Sequence, residues 1–301
     1  MRIGIQTFFD GKQSEPLPVY VKGVGQALEE RGFEAVWMSE HVVTFPKYDP
    51  AFPYPYSDDG VAPAMLSEIG ILDPMTALAA LAMTTSTLRL GTGVALLPQR
   101  NPVYFAKMGA AVDLLSNGRF IAGVGLGWSG QEYAALDVPF EHRGARMREY
   151  IQIVLSLWCD ELSKFEGKYY ALPECIHLPK PARKPYPPLY FGGESAAALR
   201  RVAEFGQGWV GFRLTPEEVE TCLVALKDML SKYGRSLADI DIVVSPGVER
   251  ECDAGMLEAY AKLGVAEVVV ICMSDSLDGF CRQADDLAKK LIGPARQLTP
   301  K

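Results

Sequence analysis

Residues 39–42 read Ser-Glu-His-Val, and His41 is one of three histidines in a chain of 301 residues. An imidazole beside a carboxylate can donate a hydrogen bond or move a proton near neutral pH. A Glu40–His41 pair at the end of a strand is also costly to bury without a use. The two are therefore candidate catalytic residues; the plainer alternative is a rim histidine that anchors the following loop. A second candidate is "GRFIAGVGLGW" (118–128), with Gly123, Gly125 and Gly127. A dinucleotide fingerprint needs Gly-x-Gly-x-x-Gly opening a helix at once, with an acidic residue about twenty positions on. The spacing here does not give that. These glycines flank the end of a strand, where missing side chains let a flat ring lie close to the backbone or simply fit a crowded rim.

Two further stretches carry weaker signals. "GTGVALLPQRNP" ends a strand with Gly91 and Gly93, a pattern of bulges and close approaches. "LYFGGES" passes from a strand through Gly192, Gly193 and Glu194 to Ser195, the expected N-cap of a helix. Exposed amide hydrogens and the helix dipole there suit a phosphate, although a capped turn explains the same letters. There is no nucleophile elbow, no Walker loop and no His-Glu-x-x-His, and His41, His142 and His177 are far apart. No metal is expected, and hydrolase chemistry has nothing to rest on.

Short β-branched runs alternate with stretches of helical period. Strands are expected at 2–6, 34–38, 88–95, 119–124, 188–192, 208–212, 240–245 and 267–272. Helices are expected at about 19–31, 74–85, 103–115, 143–158, 195–205, 216–232, 254–263 and 277–292. Asp73-Pro74 and Thr215-Pro216 supply an N-cap followed by proline at the first helical position. Strict alternation over one domain, 1–301, predicts an α/β fold, a (β/α)8 TIM barrel; an open doubly wound sheet is the alternative. Long insertions follow the second strand (42–70) and precede the fifth (159–187), both rich in proline and tyrosine. The first leaves the end of a strand where barrel sites lie, so a substrate-side role is expected of it, with Phe45, Tyr48, Phe52, Tyr54 and Tyr56 favouring a largely apolar small molecule.

Composition narrows the class further. The chain is 49% hydrophobic with a formal charge of −7 and a pI near 5.2. That argues for a globular protein and against nucleic acid or an anionic membrane as partner. "VAEVVVIC" is too short to span a bilayer and the first residues lack the order of a signal peptide, so a cytoplasmic protein is expected. Cys159, Cys175, Cys222, Cys252, Cys272 and Cys281 form no Cys-x-x-Cys and read as free thiols.

Taken in order, "GFEAVWMSEHVV", "YPYSDDG", "LDPMTALAALAMTTSTLRLGTGVALLPQRNPV", "LLSNGRFIAGVGLGW", "EYAALDVPFEHRGARMREY", "FEGKYYAL", "PKPARKPYPPLYFGGES" and "FGQGW" resemble the bacterial luciferase-like monooxygenase superfamily. Within it they resemble the coenzyme F420-dependent oxidoreductases, over roughly residues 30–211. The resemblance implies a flavin or deazaflavin in the barrel mouth, Glu40 and His41 near its reactive face, and a non-proline cis peptide at Gly93–Val94 backing the ring. Gly125 and Gly127 would border the cofactor's side chain, and Gly192, Gly193, Glu194 and Ser195 its phosphate region. Two residues depart from the pattern. Leu126 stands where the luciferase branch carries an arginine for the FMN phosphate, which favours F420, a phosphodiester. Trp128 stands where sugar-phosphate dehydrogenases of the F420 branch carry a glutamate, which argues against that activity. The resemblance leaves three readings: hydride transfer between F420 and an organic substrate; an FMN-dependent monooxygenase using O2 and a partner flavin reductase; and a non-catalytic flavin-binding protein. Relatives also imply a homodimer.

Overall fold

The computed structural model describes residues 1–298 apart from Asp58, Ala64, Met65, Ser67, Ile69 and Glu249. Part of the 42–70 segment thus lies outside the described residues. Strands β1 (Arg2–Thr7), β2 (Ala35–Met38), β3 (Arg89–Thr92) and β4 (Ala95–Leu96) come first, then β5 (Phe120–Gly125), β6 (Ser163–Glu166) and β7 (Ala171–Cys175). They are followed by β8 (Leu189–Gly192), β9 (Gly208–Phe212), β10 (Asp241–Ser245) and β11 (Glu267–Ile271). Among the described residues, β3-β2-β1-β11-β10-β9-β8-β5 pair in that order, all parallel, and β3 pairs with β5 to close the ring. The fold is the expected TIM barrel.

Helices α1 (Leu17–Glu30), α2 (Pro74–Thr84), α3 (Pro102–Leu115), α4 (Gly130–Ala135) and α5 (Arg143–Cys159) wrap the first half. Helices α6 (Ala196–Phe205), α7 (Pro216–Ser231), α8 (Ala254–Lys262) and α9 (Leu277–Gln297) wrap the second. The caps act as the sequence suggests: Asp73 accepts from Thr76 N at 2.9 Å, and Thr215 with Glu218 forms a capping box. Outward strand residues such as Ile5, Val36, Leu90 and Phe120 pack with Leu28, Leu81, Phe105 and Trp158 of the helices in one core. Inward residues follow the period of two: Ala35, Trp37, Ile121, Tyr190, Val243 and Val269 fill the middle of the barrel. Gly91 is glycine because a Cβ there would strike the Trp37 indole.

Charged residues close the N-terminal end. Glu267 is fully buried, accepts from Trp37 Nε1 at 2.8 Å and pairs with Arg89. Arg2 pairs with Asp241 at 2.7 Å, and the Tyr190 hydroxyl donates to the same carboxylate.

Two elements were not expected. The 159–187 segment holds an antiparallel hairpin, β6 with β7. Its turn, opened by Gly167, is held from another element by Glu149 of α5, which accepts from the N–H groups of Lys168 and Tyr169 at 2.8 Å and of Tyr170 at 3.1 Å. The other is α4, which follows the glycine turn and is too short for a periodic signal. Among the described residues no helix is long and apolar enough to cross a membrane. All six cysteines are free, and burial pushes the thiols of Cys252 and Cys272 up to about 12.

Candidate active site at the barrel mouth

The neighbours Glu40 and His41 turn to different partners, so the pairing suggested by their adjacency is not made. Glu40 is buried and accepts from Leu96 N at 2.6 Å and Arg100 Nε at 2.7 Å. Arg100 also pairs with Asp73 and, with the Thr76 N–H, overcomes burial to hold that carboxyl below its usual range. Glu40 therefore ties the end of β2 to the connection between β3 and α3. His41 Nδ1 instead lies 3.0 Å from Glu132 Oε1 on α4. Glu132 has no exposed surface, and its Oε2 has no hydrogen-bond partner among the described residues. Ser129 caps α4 by accepting from Glu132 N at 3.3 Å. The spelling Ser129-x-x-Glu132 is a capping-box signature, the one local sign of Glu132 in the sequence.

The Gly93–Val94 peptide is cis, as the resemblance implies. Gly93 O accepts from Ser39 Oγ at 3.0 Å, and Ser39 Oγ accepts from Gln6 Nε2 at 2.6 Å. The Val94 side chain occupies the space that Cβ atoms on Gly125 and Gly192 would need, 2.6 and 3.1 Å away. The room beside Gly123 is likewise taken, by Thr92 O. These glycines admit neighbouring protein, and what they present to the mouth is the Val94 bulge. Gly127 adopts φ 76°, and its missing Cβ would stand 3.1 Å from Gln99 Nε2. Gln99 is 6% exposed, and neither its Oε1 nor its Nε2 has a partner among the described residues.

At the end of β8, Gly193 adopts φ 110° and its carbonyl accepts from Trp209 Nε1 at 3.0 Å. Glu194 turns toward β9 and accepts from Phe212 N at 3.0 Å; burial nevertheless pushes its carboxyl above the usual range. Ser195 caps α6 through Ala198 N at 3.3 Å. Gly93, Val94, Gly125 and Gly192 thus gather at the bulge, while Gly127, Gly193, Glu194 and Ser195 line the rim.

The described part of the 42–70 segment crosses the mouth as a ladder of rings. Trp128 meets Tyr48 at 5.1 Å and Tyr54 at 5.2 Å between centroids; Tyr54 meets Tyr56 at 5.5 Å and Tyr56 meets Phe212 at 5.0 Å. The ladder spans from the end of β5 to the end of β9. Phe52 adds a contact to Phe140 at 4.8 Å.

The mouth of the parallel barrel thus carries a glycine-fitted bulge, a part-buried imidazole–carboxylate contact and an aromatic strap. Residues 1–262 match the family described as luciferase-like monooxygenase, and the chain belongs to it. It is thereby an oxidoreductase. It is 30% identical over 265 residues to an uncharacterized protein of Mycobacterium tuberculosis, covering 87% of this chain and 90% of that one. It is 30% identical over 235 residues to an F420-dependent glucose-6-phosphate dehydrogenase of Microbacterium testaceum, covering 76% of this chain and 63% of that one. The fold superposes with a TM-score of 0.75 on a monooxygenase of Streptomyces bottropensis, at 20% identity and covering 97% and 99% of the two chains.

Proposed function

We propose that this protein transfers a hydride between coenzyme F420 and an organic, largely apolar substrate, with His41 carrying the accompanying proton. The observation that supports this most is the 3.0 Å contact between His41 Nδ1 and a Glu132 carboxylate with no exposed surface. A buried carboxylate holds a proton on the nitrogen facing it and fixes the orientation of the ring. Nε2 is then the nitrogen that exchanges a proton with substrate. Glu40 acts through position, fixing the strand end that carries His41.

The residues of the mouth fit a flavin-like group. Val94 offers an apolar surface against which a flat ring can lie. Gln99 Oε1 and Nε2, beside Gly127, and Glu132 Oε2, beside His41, are buried polar atoms without partners among the described residues, and such atoms ordinarily answer a ligand or water. Gly125 and Gly127 would border the cofactor's chain, and Gly192, Gly193, Glu194 and Ser195 would lie along its phosphate end. When bound, the deazaflavin supplies the carbon that gives or takes the hydride. The aromatic strap excludes water and favours substrates with apolar or ring-containing bodies. Leu126 and the F420-dependent relative favour F420 over FMN. Trp128 cannot act as an acid or base and is already packed against Tyr48 and Tyr54, which speaks against a sugar phosphate as substrate.

Fluorescence titration with F420 and with FMN tests the cofactor; micromolar or tighter F420 binding with weak FMN binding is expected. With F420 bound, His41→Ala should lower kcat about a hundredfold or more while leaving cofactor affinity within about twofold. Unchanged turnover removes His41 from the mechanism. Tight FMN binding with substrate-dependent oxygen uptake overturns the hydride reading in favour of an FMN monooxygenase fed by a flavin reductase.

A further inference from the structure

Helix N-termini carry partial positive charge and free N–H groups, which a capping side chain or an acidic first turn ordinarily answers. The start of α5 has neither. His142, at the N-cap with φ 56°, makes no side-chain cap, and the first turn holds no acidic residue. It begins instead with Arg143, and Arg146 follows one turn on. A third guanidinium arrives from α6: Arg201 Nη1 lies 3.6 Å from where a Cβ on Gly144 would stand.

None of the three makes an ion pair with a carboxylate among the described residues, although Glu141 lies close enough to act on Arg143. Among the described residues the Arg201 side chain makes no hydrogen bond or ion pair. Arg143 lies 3.7 Å over the Phe140 ring and spends one N–H on Phe140 O at 3.4 Å, with its Nε unpartnered. Arg146 is 5% exposed; it donates to the carbonyls of Glu141 and Pro139, and its Nε is also unpartnered. The nearby Glu204 is taken by Arg148 at 2.7 Å. Burial and the charge of Arg143 both lower the proton affinity of Arg201. Like charges gathered at the positive end of a helix repel one another unless an anion lies among them.

We propose that Arg143, Arg201 and the free N–H groups opening α5 form an anion site that takes the phosphate-bearing chain of the cofactor. This rests on the cofactor reading above. Helices of the barrel begin at the end where the strands finish, so α5 and α6 both start on the rim of the mouth. Phe140, beneath Arg143, packs on Phe52 of the strap and on Tyr133, the neighbour of Glu132, at 5.2 Å. The turn after β5 offers Leu126 where a cation would serve a phosphate, and the guanidinium forks supply the missing charge from the adjacent rim.

The test compares ligands with and without phosphate on the whole protein: FMN against riboflavin, and F420 against its phosphate-free chromophore, by fluorescence titration. Arg201→Met and Arg143→Met should each weaken the phosphate-bearing ligand by about tenfold and leave the phosphate-free one unchanged. Inorganic phosphate should raise the Tm of the apo wild type and not that of the double variant. Equal losses for both ligands of a pair, or no loss, overturn the proposal. So does stabilisation by phosphate with cofactor affinities unchanged in the variants, which assigns the site to another anion. Failure of the wild type to bind any of the four ligands overturns the cofactor reading and this assignment with it. Should a methionine variant fail to fold, Arg201→Lys keeps the charge and loses the fork; it should show a smaller loss with the same dependence on phosphate.

Discussion

At the N-terminal end of the barrel Glu267 meets Arg89 and the Trp37 indole, and Asp241 meets Arg2 and the Tyr190 hydroxyl. At the C-terminal end Glu132 meets one imidazole nitrogen and leaves Oε2 unanswered, the Gln99 side chain has no partner, and Arg143, Arg146 and Arg201 make no ion pair, all among the described residues. The chain buries polar groups at both ends; at the N-terminal end both carboxylates are ion-paired although Arg2 Nε and Arg89 Nε make no hydrogen bond, whereas at the mouth Glu40 is paired and Glu132 Oε2 and the Gln99 amide are left without partners among the described residues. Where charges answer one another the end stabilises the ring; where they wait for a partner the end is built for a ligand. A cavity of about 670 Å³ opens beside Arg2, Arg89, Tyr190 and Asp241. It lies at the N-terminal end, away from the strand ends where barrel sites form, and Arg2, Arg89 and Asp241 in its lining are already ion-paired.

The contrast can be broken first at the closed end. Glu267→Gln removes the charge that faces two arginines, and a buried charge left unpaired should lower unfolding free energy by about 3–5 kcal/mol. Cofactor affinity should stay within about twofold. Denaturant unfolding and a binding titration check both halves, and a loss of affinity larger than the loss of stability would erase the distinction between the ends.

The second break is at the mouth. Gly125→Ala places a Cβ 2.6 Å from Val94 Cγ2, an overpacking expected to cost about 1–3 kcal/mol. It should weaken cofactor binding disproportionately because Val94 is the surface displaced. Adding Val94→Ala removes the clash and should recover most of the stability. No recovery in the double variant would mean that the glycine serves something other than Val94.

The smallest effect should be a pH dependence at Glu194. Its carboxyl is raised by burial, so the folded state holds its proton to higher pH than the unfolded chain does. Stability contributed there is present at low pH and falls as pH rises above the ordinary carboxyl value. Glu194→Gln keeps an acceptor for Phe212 N and removes the charge. The variant should be the more stable at pH 7, with the difference vanishing as pH approaches about 4. A wild type more stable than the variant at pH 7 would show an anion favoured at the mouth without a ligand, contrary to the comparison.

Much of this molecule is written locally. The period-two and period-3.6 patterns, the proline-led caps at Asp73 and Thr215, and the alternation itself determine eight βα units, because each signal acts between residues a few positions apart. The order of "SEHV", "GTGV", "GVGLGW" and "FGGES" marks which strand ends carry the mouth. What those letters cannot carry is partnership at a distance. His41 finds Glu132 91 residues along the chain, Glu40 finds Arg100, and Arg201 reaches the start of α5, since closing the barrel sets strand ends and helix starts side by side whatever their separation in sequence. The hairpin in 159–187 carries only Gly167 as a local signal, and its turn is held by Glu149 of another element. The glycines teach the same point: the sequence shows that they are needed at the strand ends, and only the packed structure decides that Gly91 yields to Trp37 and Gly125 to Val94, because steric exclusion is a property of neighbours in space.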